Sequence, residues 1–236
     1  MDLVIKGFHE TSFIDWDGKI VSVVYVGSCN MRCSFCHNSG LVLHPQNYET
    51  IPLEKIENFL MERKDFIDGI CLTGGEPCLH KEKGLFEFLR RVKALGLLIK
   101  IDTNGTDPAC LKEIIQQKLA DYFAMDIKAP LDEKYAQLTG VKINLDFIRQ
   151  SITILMHSGL PYEFRTTVVP GMLDTEDIKK IAAAIAGAEK FVLQQFSPEN
   201  CWDESLRSVV PYGIEKLTEM RTAAGQYVSN TVLRGA

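Results

Sequence analysis

The sequence lacks an apolar run approaching the roughly 18–20 residues that a membrane-spanning helix needs. Its first residues, Met-Asp-Leu-Val-Ile-Lys-Gly, also lack the basic stretch and long apolar run of a secretory signal. Positive charge is not in excess, since 26 basic residues stand against 31 acidic ones and the formal net charge is −5. We therefore expect a cytoplasmic protein without a membrane segment and without nucleic acid as a ligand.

Internal repeats, low-complexity runs and long linkers rich in Gly, Ser or Pro are also missing. With 236 residues and 46% hydrophobic composition, the chain can bury a sizeable core as one unit. We predict a single domain over residues 1–236, with a core at about 18–200, a short N-terminal segment, and a C-terminal helix with a polar tail.

The cysteine count argues against a disulfide framework, because seven is an odd number in a chain without an export signal. Three of the seven fall within eight residues, whereas the other four are scattered singly. The group of three is predicted to bind metal, and the scattered four are predicted to be ordinary packed or partly exposed thiols. The grouped cysteines are Cys29, Cys33 and Cys36, and the scattered ones are Cys71, Cys78, Cys110 and Cys201.

Short apolar runs alternate with amphipathic stretches along the chain, the pattern of βα units that build a parallel sheet. Six strands are predicted, at residues 20–26, 69–73, 98–102, 122–126, 163–169 and 191–196. Helices are predicted at residues 53–63, 85–95, 109–118, 145–157, 175–186 and 213–224. Six strands are too few for a closed eight-stranded barrel. The predicted fold is therefore α/β, a partial (β/α)6 TIM-like barrel in one domain.

Polar residues follow four of these strands at the end where such folds carry their chemistry. Cys29 follows the first strand and Gly74 the second, Asp102 ends the third, and Asp126 ends the fourth. Because the carboxyl ends of parallel strands meet at one edge of a sheet, we expect these four loops to converge.

The cysteine spacing Cys29-x3-Cys33-x2-Cys36 offers three thiolates on one tight loop. A closed zinc site normally takes four protein ligands. His37 is the obvious fourth ligand for zinc, but its side chain is expected to diverge from that of its neighbour Cys36. Three ligands suit a four-iron cluster with one iron left open for a substrate. We favour the cluster and keep zinc binding as the alternative.

The pattern Cys29-x3-Cys33-x-Phe35-Cys36 resembles the signature of the radical S-adenosylmethionine (SAM) superfamily. The resemblance implies a 4Fe-4S cluster whose open iron binds SAM and whose electron cleaves it to methionine and a 5′-deoxyadenosyl radical. Phe35 and His37 are then expected near the adenine, or else merely pack the loop. The fold it implies is the partial barrel of the radical SAM type.

A second motif, Thr73-Gly74-Gly75-Glu76-Pro77, resembles the GGEP motif of the same superfamily. On its own, a Gly-Gly turn is more often only a turn. Beside the cysteine motif, the resemblance implies that this backbone and Glu76 recognise the amino group of the SAM methionine, which suits a carboxylate.

Two further stretches, the DTNG sequence at residues 102–105 and the DxK sequence at 126–128, resemble those of glycyl-radical-enzyme activating enzymes. Without that context, strand-end acids merely cap loops and Lys128 is a solvated amine. The resemblance implies that Lys128 meets the SAM carboxylate. It also implies that Asp102, Asn104 and Asp126 lie near the cofactor, in some members around a monovalent cation.

Three more residues are candidates for the cofactor site. Arg165 lies in a predicted strand and either pairs with strand-end carboxylates or contacts a ligand. Ser197 stands where some pyruvate formate-lyase activases have a cofactor-binding His, so that contact does not carry over. Gln195 shares the strand face of Ser197 and is a candidate substitute.

From residues 6–8 and 12–19 through 194–196, the chain resembles the activating proteins of anaerobic ribonucleoside-triphosphate reductases. What this implies is abstraction of a glycine Cα hydrogen in a partner enzyme, with flavodoxin or ferredoxin as electron donor. No second cysteine group follows, which indicates one cluster and a protein substrate. The alternatives are activation of a formate-lyase-like enzyme, a small-molecule enzyme of the carboxy-deazaguanine synthase kind, and a zinc-binding interaction module.

Overall fold

The structure of the protein is a computed structural model that describes residues 3–199 and 201–236. Its residues form two compact units, which alternate along the chain. The first unit holds the described residues up to Asn30 together with Gly40–Thr103 and Asp107–Phe123. The second holds Met31–Ser39, Asn104–Thr106 and Ala124–Ala236. The expectation of one domain over residues 1–236 stays a prediction.

Eight strands occur in the described part of the chain, and their order across the sheet is their order in sequence. They are β1 (Ile5–Ser12), β2 (Val21–Val26), β3 (Gly69–Gly74), β4 (Leu98–Thr103), β5 (Tyr122–Asp126), β6 (Tyr162–Val168), β7 (Phe191–Gln195) and β8 (Thr231–Arg234). In the first unit β2, β3 and β4 run parallel, and β1 pairs antiparallel with β2. In the second unit β6, β7 and β8 run parallel. The predicted α/β class with a parallel sheet is confirmed.

The six predicted strands correspond to β2–β7, each to within one residue at either end. The polar tail predicted after the last helix contains β8, a strand of only four residues that was not predicted. β1 was not predicted either. Its pairing with β2 shifts register twice, so its side chains do not alternate regularly between a polar and an apolar face.

Eight α-helices occur among the described residues. They are α1 (Ser39–Leu43), α2 (Leu53–Arg63), α3 (Phe86–Ala94), α4 (Pro108–Gln116), α5 (Glu133–Thr139), α6 (Leu145–Met156), α7 (Thr175–Ala184) and α8 (Ile214–Gly225). Short 3₁₀ segments lie at Pro45–Asn47, Pro77–His80 and Glu204–Ser208, and a π-type turn at Lys81–Leu85. All six predicted helices are present, whereas the short α1 and α5 were not predicted.

Side-chain caps explain where three of the predicted helices begin. The carboxylate of Asp107 accepts a hydrogen bond at the start of α4, and the amide oxygen of Asn144 does so at α6. Asp174 and Asp177 form a reciprocal capping box at the start of α7. Asp and Asn are favoured at helix starts because their short side chains accept hydrogen bonds from the free N–H groups of the first turn.

In the first unit, the loop between β1 and β2 lies against one face of the sheet. Trp16 from this loop packs with Val21, Val23 and Cys71, and its ring lies 5.6 Å from that of Tyr122. This face of the sheet therefore carries an apolar cluster that includes residues at the start of β2 and in the middle of β3. Within the described residues, no helix is long and apolar enough to cross a membrane.

Candidate functional site

The strand end that leads into the first cysteine has an unusual backbone. Ser28, just before Cys29, has a φ of +66°, in the left-handed region that non-glycine residues seldom occupy. Its N–H donates to the backbone oxygen of Leu41 at 2.9 Å. The chain is thus turned sharply as it enters the cysteine loop, which we define as residues 27–38.

The GGEP loop, residues 73–77, holds this turn in place within the first unit. Gly75 donates its N–H to the oxygen of Val26 at 2.8 Å, and Glu76 donates to the oxygen of Ser28 at 2.9 Å. A Cβ on Gly75 would lie 1.7 Å from that Ser28 oxygen, and Gly74 has a φ of +107°. The two glycines are therefore required by the close approach of two protein loops, independently of any ligand.

The side chain of Glu76 is buried and accepts hydrogen bonds within the protein. Its Oε1 accepts from the backbone N–H of Cys78 at 3.1 Å and from the hydroxyl of Thr103 at 2.8 Å. Pro77 begins the 3₁₀ segment that Glu76 caps. Glu76 thus ties the GGEP loop to the end of β4, and its expected contact with the SAM amino group stays a prediction.

His80 adds a third link between these loops. It is buried, and its Nε2–H donates to the backbone oxygen of Gly27 at 2.8 Å. Burial lowers the pKa of His80, since the charged imidazolium would lose its hydration. Sequence reasoning missed this residue, because nothing local distinguishes it from an exposed histidine.

Asp102 is the penultimate residue of β4, and its carboxylate contacts two neighbouring side chains. Oδ1 lies 2.9 Å from the ammonium nitrogen of Lys100, and Oδ2 accepts from the hydroxyl of Thr73 at 3.4 Å. Lys100 was not predicted as a site residue. The alternation of β4 could have revealed it, since residues two apart in a strand share a face and a buried lysine needs a counter-charge.

In the second unit, the rest of the cysteine loop is fixed by backbone hydrogen bonds. Cys36 donates its N–H to the oxygen of Cys33 at 3.0 Å, which closes a turn between the two thiols. Cys33 is buried and Cys36 half-buried. The side chain of Phe35 is only 5% exposed, so it packs within the protein, and its expected place near the adenine stays a prediction.

Asp126, at the end of β5, binds two cationic side chains. Its Oδ1 accepts from Nε of Arg165 at 2.9 Å, and its Oδ2 accepts from Nζ of Lys128 at 3.0 Å. All three side chains are largely buried. Of the two roles proposed for Arg165, the structure thus contains the ion pair with a strand-end carboxylate.

The charges in this cluster reinforce one another. Burial alone would raise the pKa of Asp126, but Arg165 and Lys128 outweigh it and hold that pKa well below the usual range. Burial works against the charge of Lys128 as well, yet Asp126 and the thiols of Cys33 and Cys36 raise its pKa. Lys128 is therefore a permanent cation that lies near two of the predicted cluster ligands.

Gln195, the last residue of β7, and Ser197, two residues beyond it, have different hydrogen-bond partners. Nε2 of Gln195 donates to the backbone oxygen of Tyr212 at 2.8 Å, while its Oε1 is buried and has no hydrogen-bond partner among the described residues. His37 is exposed, and its Nε2–H donates to the backbone oxygen of Ser197 at 2.8 Å. Gln195 thus has a buried acceptor to offer a ligand, while Ser197 orients the ring of His37.

Asn104 has a role within its own turn. Its Oδ1 accepts from the backbone N–H of Thr106 at 3.0 Å and from the hydroxyl of Thr106 at 2.7 Å. This is an Asx turn, in which a short polar side chain holds the chain that follows it. The contact expected between Asn104 and the cofactor stays a prediction.

Across residues 3–199 and 201–236, no three His, Cys, Asp or Glu side chains are grouped as they would be around a single metal ion. The role of Cys29, Cys33 and Cys36 as cluster ligands stays a prediction. The chemistry of the donors suits it, since thiolates are the ligands of iron–sulfur clusters.

Comparison with known proteins identifies the family. The model of the radical SAM superfamily matches residues 23–185. A protein of Methanocaldococcus jannaschii with the provisional name of a glycyl-radical enzyme activating enzyme is 33% identical, over 99% of this chain and 97% of its own length. The pyruvate formate-lyase-activating enzyme of Clostridium pasteurianum is 29% identical, over 77% of this chain and 75% of its own.

Among solved structures, Streptococcus suis SuiB matches with a TM-score of 0.70 at 15% identity, over 91% of this chain and 49% of the larger SuiB chain. A likeness at this identity concerns the fold alone. Together with the family match, it confirms the predicted partial (β/α)6 barrel of the radical SAM type. Similarity across almost the full length of a relative, together with the family match, shows that this chain is an enzyme of the radical SAM superfamily and belongs to its glycyl-radical enzyme activating enzymes.

Proposed function

We propose that this enzyme generates a glycyl radical in a partner protein, and that the partner is an anaerobic ribonucleotide reductase. The observation that carries the first part is the 33% identity over 99% of the chain to a relative named as a glycyl-radical enzyme activating enzyme. The identity of the partner rests on the sequence resemblance to the activating proteins of these reductases. The choice of this reductase as the partner is therefore the more specific part of the proposal.

The proposed cluster ligands are the thiolates of Cys29, Cys33 and Cys36. Lys128 lies near Cys33 and Cys36, and its charge offsets part of the burial that raises the pKa of the Cys36 thiol. When bound, the cluster supplies one electron that cleaves SAM to methionine and the 5′-deoxyadenosyl radical, which takes a hydrogen atom from a glycine Cα of the partner and becomes 5′-deoxyadenosine.

The chain's own residues would bind and orient SAM. Lys128 is the proposed donor to the SAM carboxylate, a role that suits a fixed ammonium. The buried Oε1 of Gln195 is the proposed acceptor for a hydroxyl or amino group of the ligand, because an unsatisfied buried acceptor is costly until it is paired. His37, held by Ser197, and the GGEP loop complete the set.

A monovalent cation near Asp102 and Asp126 is the third group that the family resemblance implies. The residues do not fit it. Lys100 already pairs with Asp102 in the first unit, and Arg165 and Lys128 pair with Asp126 in the second. No step of the proposed reaction depends on such a cation.

A formate-lyase-like partner is the second candidate. It is favoured by the 29% identity to the pyruvate formate-lyase-activating enzyme of Clostridium pasteurianum over 77% of this chain. The cofactor residues would be the same for either partner, so the choice between the two depends on the protein surface that docks.

We further propose that a flavodoxin or ferredoxin delivers the electron and that the enzyme works in the cytoplasm. Seven cysteines, all of them free, are compatible with a reducing compartment.

Electron paramagnetic resonance tests the choice of partner. Reconstituted enzyme, reductant and SAM are mixed in separate samples with an anaerobic ribonucleotide reductase and with a pyruvate formate-lyase. A doublet glycyl radical signal with the reductase supports the first candidate. A signal with the lyase alone would refute it in favour of the second. A sample that contains Cys33→Ala enzyme controls for radical already present in the partner.

A further inference from the structure

Lys100 is a buried charge in the middle of a strand. Its side chain is 3% exposed, and it lies in β4 two residues before Asp102, so the two side chains share one face of the sheet. The ammonium nitrogen lies 2.9 Å from Oδ1 of Asp102. An ammonium at this depth is stable only when its charge is balanced nearby.

Lys100 has two further contacts, which hold its ammonium group in place. Nζ donates to the backbone oxygen of Asp15 at 2.6 Å, which lies in the loop between β1 and β2. Nζ also contacts Sγ of Cys71 at 3.8 Å, and Cys71 is the residue of β3 that pairs with Lys100. The backbone oxygen of Asp15 and the thiol of Cys71 thus hold the ammonium of Lys100 beside the carboxylate of Asp102.

Each carboxylate oxygen of Asp102 has a partner in the first unit. Lys100 balances the charge at Oδ1, and the hydroxyl of Thr73 donates to Oδ2 at 3.4 Å. A mobile cation bound at this carboxylate would have to compete with an ammonium that cannot diffuse away. A metal cation at this carboxylate would be repelled by the ammonium of Lys100, which lies 2.9 Å from Oδ1, so its binding is weakened.

We propose that the ammonium of Lys100 is the built-in counter-ion of Asp102 and takes the place of a monovalent metal cation in this enzyme. Lys100 acts as a positioning residue, because it acts on the cofactor site through Asp102. The proposal rests on the proposed place of Asp102 near SAM. Its consequence is that SAM binding is indifferent to which monovalent cation the buffer contains.

The first test uses the reconstituted wild-type enzyme. SAM affinity is measured by equilibrium dialysis in sodium, potassium and choline chloride at equal ionic strength, since choline is too large to replace a coordinated metal ion. We expect the dissociation constants to agree within about twofold. An affinity about tenfold or more higher in sodium or potassium than in choline would overturn the proposal.

The second test removes the charge. Lys100→Met keeps much of the side-chain volume, and we expect its SAM affinity to fall by about tenfold or more in choline and to recover in sodium or potassium. The matched control is Lys93→Met, which breaks a 2.8 Å ion pair with Asp121 that is more exposed. This control should remain indifferent to the cation. A folded Lys100→Met enzyme without cation dependence would contradict the proposal.

A direct measurement keeps the proposal testable if Lys100→Met does not fold. The ²³Na relaxation rate of sodium chloride solutions is recorded with wild-type enzyme, with and without SAM. No change on adding SAM is expected, and faster relaxation that potassium reverses would overturn the proposal. Failure of the proposed function has a different signature, namely no 5′-deoxyadenosine from wild-type enzyme in any of the salts.

Discussion

Glu76 donates its backbone N–H to the backbone oxygen of Ser28 at 2.9 Å, directly before the first cysteine of the cysteine loop. Gly75 and His80 donate to the same short stretch, at Val26 and Gly27. The GGEP loop is therefore a support for the cysteine loop as well as a proposed binding element for SAM. A change in the GGEP loop should disturb the cluster site without touching a cysteine.

Gly75→Ala is the sharpest test of this support. The added Cβ would meet the oxygen of Ser28 at 1.7 Å, so the two loops must separate. We expect the free energy of unfolding to fall by about 3 kcal/mol or more, the upper end of the cost of overpacking. Urea denaturation of the cluster-free protein measures it, and iron content after reconstitution should fall in parallel.

Gly225→Ala is the control for that substitution, because nothing lies within 4 Å of the Cβ it would add in α8. Its stability should change by less than about 1 kcal/mol. Equal stability and iron content in both variants would show that the close contact at Gly75 has no such role.

Asp126→Asn tests the buried charge cluster in the second unit. The substitution removes the carboxylate that Arg165 and Lys128 share, and breaking such a largely buried ion pair costs about 3 kcal/mol. We expect a loss of that size in urea denaturation. Glu204→Gln, which breaks a well-exposed pair with Arg207, should cost less than about 1 kcal/mol. Similar losses in the two variants would mean that the cluster contributes no more than a surface ion pair.

His80 should make stability depend on pH. Its pKa in the folded protein is lowered by burial, so the unfolded chain binds a proton more readily than the folded one. The free energy of unfolding therefore keeps its full value well above the unfolded pKa of about 6.5, and it decreases as the pH falls below that pKa. Urea denaturation from pH 8 to pH 5.5 should therefore show a decline that is smaller in His80→Gln. The same decline in both proteins would assign it to other groups.

The sequence predicted the strands that are buried on both faces and missed those at the edges. Residues 21–26 read Val-Ser-Val-Val-Tyr-Val, an apolar run typical of a covered parallel strand. β1 has an irregular register, and β8 is only four residues long, so neither has a pattern that stands out locally.

The motifs indicated candidate site residues, but not how these residues support one another. The contact of Gly75 with Ser28 depends on the approach of loops 47 residues apart, which periodicity does not report. The partners of Asp126 come from its own loop and from β6, and only their assembly in the fold shows that Arg165 forms the ion pair. Lys100 was missed as well, although its spacing of two residues from Asp102 places both side chains on one face of a strand.

The most direct test of the account is cleavage of SAM by enzyme reconstituted with iron and sulfide under anaerobic conditions. We predict about four irons per chain and formation of 5′-deoxyadenosine on reduction, both lost in Cys33→Ala and both retained in Cys110→Ala, whose thiol lies in α4. Stoichiometric zinc without sulfide in the wild type, or undiminished cleavage in Cys33→Ala, would contradict the assignment of Cys29, Cys33 and Cys36 as the ligands of a cluster that cleaves SAM.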